Sequence, residues 1–126
     1  MAKIEGVCRE VCDATEYVTI VTEGPDGAHL AGHWGSYMRI VEPGETVVFP
    51  VGRFQHTEQN LKANDHIQLM AASHKVPGTR SPGQGCVIAG TGEVVTSGEF
   101  VDLVREKFPW ARGALVVRVA SVATQL

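Results

Sequence analysis

The side chains best placed for chemistry lie in two short stretches, Gly32-His33-Trp34-Gly35-Ser36-Tyr37 and Pro50-Val51-Gly52-Arg53-Phe54-Gln55-His56-Thr57-Glu58. The first sets Trp34 and Tyr37 among glycines in a run otherwise built like a strand. The second ends an apolar strand in a glycine turn and opens a short helix at a threonine. Aromatic faces stack on a flat ring, and a helix start with hydroxyl and cationic side chains holds a phosphate. Together the stretches suit a flat aromatic ligand with a phosphate tail. The competing reading is structural: Trp34 and Tyr37 fill the core, and the turn is only a turn.

Other chemistries find less support. Cys8 and Cys12 are four apart, on the stripe shared by Ile4, Val7 and Val11. That placement reads as small core residues; a metal site wants a closer pair with further ligands at matching spacing. His29 and His33 are also four apart, but in a strand they share a face at too great a distance for easy chelation. No Ser-His-Asp or Cys-His nucleophile set stands out by spacing.

The elements that must position these residues can be read in order. Residues 4–12 predict a short helix, and the β-branched run 17–22 a strand. Gly24-Pro25-Asp26-Gly27 is a turn, with proline presetting one dihedral and glycine accepting a positive φ. Residues 28–41 read as its hairpin partner. Gly32 and Gly35 within that strand suggest a bulge or a close backbone approach. After Pro43-Gly44, residues 46–51 form a strand with Val47, Phe49 and Val51 on its apolar face. A short helix follows over 57–62, with Thr57 as its expected N-cap. Residues 66–73 alternate, Ile67, Leu69 and Ala71 on one side and His66, Gln68 and Met70 on the other. Residues 76–85 read as a Gly/Pro-rich loop near Lys75 and Arg80, either mobile surface or a ligand lid. A strand over 86–96 leads to Thr96-Ser97-Gly98-Glu99, which has capping-box spacing. The helix it opens presents Phe100, Leu103, Val104 and Phe108 on one face and stops before Pro109. Residues 114–123 are the last strand. Six short strands with hairpin turns and three short helices predict a mainly β fold, a small antiparallel barrel.

Size and charge bound the reading. A chain of 126 residues predicts a single domain over 1–126, with a modest core. The net charge of −3, with no basic stripe, argues against nucleic acid. No apolar run approaches a membrane span, and Glu5, Arg9 and Glu10 interrupt any secretion signal. A cytoplasmic protein is the expectation.

From about Tyr17 onward, the ordered set of motifs resembles the small FMN-binding proteins of anaerobic bacteria, members of the pyridoxamine-5'-phosphate-oxidase-like split-barrel group. The two opening stretches carry the resemblance. So do Asp26-Gly27-Ala28-His29-Leu30, Ser73-His74-Lys75-Val76-Pro77-Gly78, Gly83-Gln84-Gly85, Phe108-Pro109-Trp110-Ala111-Arg112-Gly113-Ala114-Leu115-Val116 and the closing Leu126.

The resemblance implies a six-stranded antiparallel split β-barrel holding FMN. Trp34, Tyr37 and Trp110 match the aromatics around the flavin ring. Gly32 and His33 match an asparagine–threonine pair, and His56 and Thr57 a lysine–threonine phosphate pair. Leu126 matches the terminal leucine that covers the flavin from the second subunit. Arg53 is a further phosphate donor, and the backbone at Val51 and Gly52 suits the pyrimidine edge. Gly32 loses an amide, His33 replaces a hydroxyl, and His56 replaces a lysine, so phosphate affinity should depend on pH. A barrel this small makes an FMN-sized site more easily between two subunits, so a homodimer with FMN near the interface is expected. The implied function is electron transfer or a small flavin-dependent oxidoreductase, with a possible redox protein partner. The alternatives are a non-catalytic flavin, deazaflavin or other phosphorylated-ring binding module and, less favoured, a pyridoxamine-phosphate oxidase, which would need an arginine-rich set for a second phosphate.

Overall fold

The computed structural model describes residues 2–126. Its strands are β1 (Tyr17–Gly24), β2 (Gly27–Trp34), β3 (Arg39–Val41), β4 (Thr46–Val51), β5 (His66–Pro77), β6 (Pro82–Val95) and β7 (Gly113–Thr124). The helices are α1 (Gly6–Ala14), α2 (Gln55–Ala63) and α3 (Glu99–Arg105). Every ladder is antiparallel, and the strands form one sheet in the order β2-β1-β5-β6-β7-β4-β3. The architecture is the expected split barrel, with seven strands rather than six. The expected strand over 28–41 divides because Gly35–Tyr37 forms a single 3₁₀ turn between β2 and β3.

Alternation decides what each strand buries. Val47, Phe49 and Val51 of β4 enter the main core with Ile20, Ile67, Leu69, Ile88 and Leu115. Val48, on the opposite face of β4, joins a second cluster with Val101 and Val104 of α3 and Val116 of β7. A strand covered on both faces explains the nearly continuous apolar run Val47-Val48-Phe49-Pro50-Val51. The alternation expected in β5 is present, with Ile67, Leu69 and Ala71 all buried. Helix α1 brings Cys8, Val11 and Cys12 onto the main core, beside Cys86 of β6. The three thiols are free and buried. Burial and the Cys86 sulfur push the Cys8 thiol up to about 12, so it stays protonated, as suits core packing.

Several local expectations are corrected. The two glycines of the aromatic stretch do mark close approaches, but to the chain itself. A Cβ on Gly32 would collide with the Tyr17 phenol, and one on Gly35 with the Thr15 carbonyl oxygen. Residues 76–85 are mostly ladder: β5 and β6 continue to a Pro77–Pro82 pair, leaving only a short tip. The Gly83 backbone, at φ 106°, is one reason glycine stands there. Thr57 is not an N-cap. The cap of α2 is Phe54, in the left-handed region at φ 52°, and Thr57 sits inside the first turn. The box at Thr96–Glu99 makes no side-chain cap; Gly98 holds that position at φ 106°, which the threonine–serine spacing could not foresee. Helix α3 ends at Arg105, and its most buried residue is Val101, outside the expected stripe. Among the described residues no helix is long and apolar enough to cross a membrane.

Candidate functional site

Strand β2 and the turn from β4 into α2 meet across a cleft of about 470 Å³. Its walls are His29, Ala31 and His33 from β2, Gly52–Phe54 from the turn, Gln55–Thr57 from α2, and Trp110 from the loop before β7. The volume falls in the ~300–1,000 Å³ range of small-molecule sites.

The turn has its shape because Arg112 holds it. The Arg112 guanidinium donates to the Gly52 carbonyl at 2.7 Å, to the Arg53 carbonyl, and to Glu58 Oε1 at 2.8 Å. The Arg112 backbone N–H donates to the Val51 carbonyl at 2.9 Å. One side chain therefore fixes both sides of the turn and the first turn of α2. It also partners Glu58, whose charge would otherwise oppose an anion there. One acceptor position on the Val51 and Gly52 carbonyls is already taken, which narrows what those groups can offer a ligand edge. The Trp110 indole lies close enough to the turn that a Cβ on Gly52 would stand 3.3 Å from its Cζ3, so glycine opens the space for the ring.

His33 sits in the middle of an aromatic cluster. Its ring lies parallel to Phe49 at 5.8 Å between centroids and contacts Tyr37 at 5.1 Å and Phe54 at 5.3 Å. Tyr37 continues the cluster to Phe108 at 4.5 Å and to Trp110 at 6.2 Å. His33 Nε2 is 2.7 Å from the Pro50 carbonyl. A carbonyl only accepts, so Nε2 carries the proton and Nδ1 is left as an acceptor. Burial pushes the His33 imidazole below its ordinary value, against the raising effect of the Pro50 bond. It is therefore a neutral, directional group rather than a cation.

The opposite end of the cleft is polar. His56 of α2 stacks on His29 of β2, 4.0 Å between centroids with 18° between planes. Arg53 and Gln55 are exposed beside them, and Thr57 is almost wholly buried. The free N–H groups of the first helical turn add donors at this end.

Of the residues singled out in the sequence, His33, Gly52, Arg53, His56, Thr57 and Trp110 line this cleft together. Val51 is fully buried behind it, and Tyr37 backs Trp110. Three do not reach it within one chain. Gly32 and Trp34 alternate with His33 and so face the other side of β2, where Trp34 meets Tyr17 edge-on at 5.5 Å. Leu126 lies at the tip of the β5–β6 hairpin: the Gln84 side chain accepts from its N–H at 2.7 Å and donates to its carbonyl oxygen at 2.5 Å. The sequence reading missed Arg112, whose role depends on carbonyls about sixty positions away. It also left out His29, Phe54 and Gln55 as site residues; for His29 the signals were its spacing from His33 and its place in the Asp26–Leu30 motif.

A family model described as pyridoxamine 5'-phosphate oxidase matches residues 4–124. An FMN-binding protein of Nitratidesulfovibrio vulgaris (strain Miyazaki F) is 37% identical over 124 residues, covering 98% of this chain and 99% of that one. Among solved structures, tagged HupZ of Group A Streptococcus superposes with a TM-score of 0.73 at 15% identity, covering 90% of each chain. An FMN-binding protein from Syntrophomonas wolfei does so at 0.69 and 12% identity, over 94% of this chain and 83% of that one. These two share the fold. The family model, the relative 37% identical over nearly the full length of both chains, and the shared architecture place the chain in the pyridoxamine 5'-phosphate oxidase family.

Proposed function

We propose that the chain binds FMN in the cleft between β2 and α2 and serves as an electron-transfer flavoprotein or small flavin-dependent oxidoreductase in the cytoplasm. One observation carries this reading. The cleft has an aromatic end, at Trp110 and Phe54, and a donor-rich end, at His29, Arg53, His56 and Thr57, and both are built on one turn pinned by Arg112. That is the polarity of a flat ring with a phosphate tail. When bound, the flavin supplies hydride and single-electron chemistry. The chain's part is to place the ring against Trp110, keep His33 neutral beneath it, and hold the phosphate at the start of α2.

The reading extends to a homodimer. Tyr17, Leu30, Trp34 and Met70 leave 48%, 68%, 52% and 40% of their surfaces exposed. The ladder registers put all four on the same face of β1, β2 and β5. A second copy on that face would cover this patch and bring Trp34, and Leu126 with it, toward a flavin near the interface. Sharing one contact between assembly and binding makes the two reinforce each other.

The test is the absorbance spectrum of the purified protein, followed by titration with FMN and with riboflavin. A yellow protein with a flavin spectrum is the expected result. Bleaching by NADH or NADPH identifies a reductase, and reduction only by a redox protein identifies a carrier. A flavin that no donor reduces identifies a storage or sensing module. A protein that binds neither FMN nor riboflavin overturns the reading.

A further inference from the structure

We propose that His29 and His56 act as one unit, a two-imidazole clamp for the phosphomonoester of the ligand, so that the phosphate binds together with protons. The inference rests on the reading that the cleft takes a phosphorylated flavin, and it gives His29 a role no motif assigned to it.

The geometry is that of a pair. The rings stack 4.0 Å apart at 18°, one carried by β2 and the other by α2. Neither imidazole makes a hydrogen bond within the described residues, so their nitrogens remain available to a ligand. Two neutral imidazoles stack readily; two imidazolium ions at this separation repel, and an anion between their edges removes that repulsion. The surrounding charges favour the same outcome. Arg53 adds a cation on the turn side. Glu58, further along α2, is engaged by Arg112 at 2.8 Å and stands 3.9 Å from Lys62. His33, on the same face of β2, is held to Pro50. On β1, Thr22 faces this region through an uncharged bond with Asn60 of α2. The described cleft lining contains no carboxylate.

A lysine would supply constant charge across the neutral range, whereas a histidine pair supplies charge only where imidazoles protonate. FMN affinity should therefore fall as pH rises through the neutral range, while riboflavin affinity stays level. The phosphate's own ionisation, near pH 6, acts in the opposite direction and lies at the lower edge of that window.

The experiment titrates FMN and riboflavin into the ligand-free full chain across this range, reading flavin fluorescence. Alongside it, the imidazole C2–H resonances are followed by NMR with inorganic phosphate. The expected result is a pH-dependent FMN curve, a flat riboflavin curve, and resonances of both histidines moving together on addition of phosphate. His29→Phe keeps the ring stack without the proton. It should weaken FMN by about tenfold at pH 6.5, the scale of a charge-assisted hydrogen bond, and flatten the pH slope. His56→Lys should bind FMN with a shallower pH dependence than the parent. Unchanged FMN affinity and slope in His29→Phe overturns the clamp. Equal binding of FMN and riboflavin at every pH also overturns it but leaves the flavin reading intact. If neither flavin binds, the flavin reading fails, and the NMR arm still decides: joint movement of the two histidines with phosphate supports the clamp, and no movement ends it.

Discussion

The two faces of β2 differ in what meets them. Successive residues of one strand point to opposite sides. On one side, His29, Ala31 and His33 face the cleft, and their polar atoms and rings meet partners from the chain's own α2, β4 and aromatic cluster. On the other, Leu30 and Trp34 are large, apolar and mostly exposed, with Tyr17 beside them. The cleft side is completed by the chain itself. Under the proposed homodimer a second copy would cover the outer side, because clustered exposed apolar groups gain most from being covered. Substitutions on the two sides should therefore differ in kind. Cleft-side changes should alter binding at any protein concentration; outer-side changes should alter it together with assembly.

The largest effect is expected from Arg112→Met. It leaves the Gly52 and Arg53 carbonyls and Glu58 without their shared donor, and bonds to a charged group are worth ~1.5–3 kcal/mol each. A loss of about 3 kcal/mol in thermal or denaturant unfolding should accompany weakened FMN and riboflavin binding, independent of protein concentration. Stability and binding at parental levels would show that the turn holds its shape without the guanidinium.

Trp34→Ala should do the reverse. Trp34 is half exposed within one chain, so monomer stability should change little. Under the proposed homodimer, both self-association and FMN affinity should weaken, by ~1–3 kcal/mol, with reduced quenching of flavin fluorescence. Sedimentation and flavin titration at several protein concentrations measure the two. An effect on FMN that ignores protein concentration would break the contrast between the faces.

Leu126→Ala sharpens the same contrast with a smaller change. Its backbone is held by Gln84, so the chain end should stay in place. Its side chain is 63% exposed, and covering it in a dimer is worth at most ~1.5–3 kcal/mol, shared between assembly and flavin binding. Sedimentation with and without FMN measures this; unchanged values in both would mark the leucine as plain surface.

The smallest effect concerns His33. Its folded-state pKa is depressed, so below the ordinary imidazole value of about 6.5 the unfolded chain takes up more protons than the folded one. Its contribution to stability is present above that value and is lost as pH falls toward the depressed one. Denaturant melts from about pH 7.5 to 5 should show a slope that His33→Gln reduces. An identical slope in that variant would place the titration elsewhere.

Much of the fold could be read from periodicity. The strands over 46–51 and 66–73, the two-residue turn before Gly27 and most of the apolar face of α1 follow from alternation, turn chemistry and helical spacing, which are local properties; on α1, Cys8, Val11 and Cys12 are buried as expected, but Val7 of the expected stripe is exposed. Local signals erred where a contact from far along the chain decided the outcome. Thr57 looked like a cap, yet the chain enters α2 through a left-handed Phe54 in a turn that Arg112 holds, and Arg112 arrives only as β7 begins to pair with β4. The 76–85 segment erred for a different reason: its pairing is local, within one hairpin, but a proline- and glycine-rich composition does not reveal that β5 and β6 run on as a ladder nearly to the tip.

By itself the sequence determined the residue types a phosphorylated ring would need, the strand that carries His33 and Trp34 on alternate sides, and the family to which their order belongs. Tertiary structure alone decided which of those residues share a cleft. Whether His33 meets Pro50, His29 meets His56, or Trp34 is turned away from both depends on packing one strand against a helix and a turn that lie well beyond it in the chain. Spacing along a chain fixes the side of a strand, but not what stands opposite it.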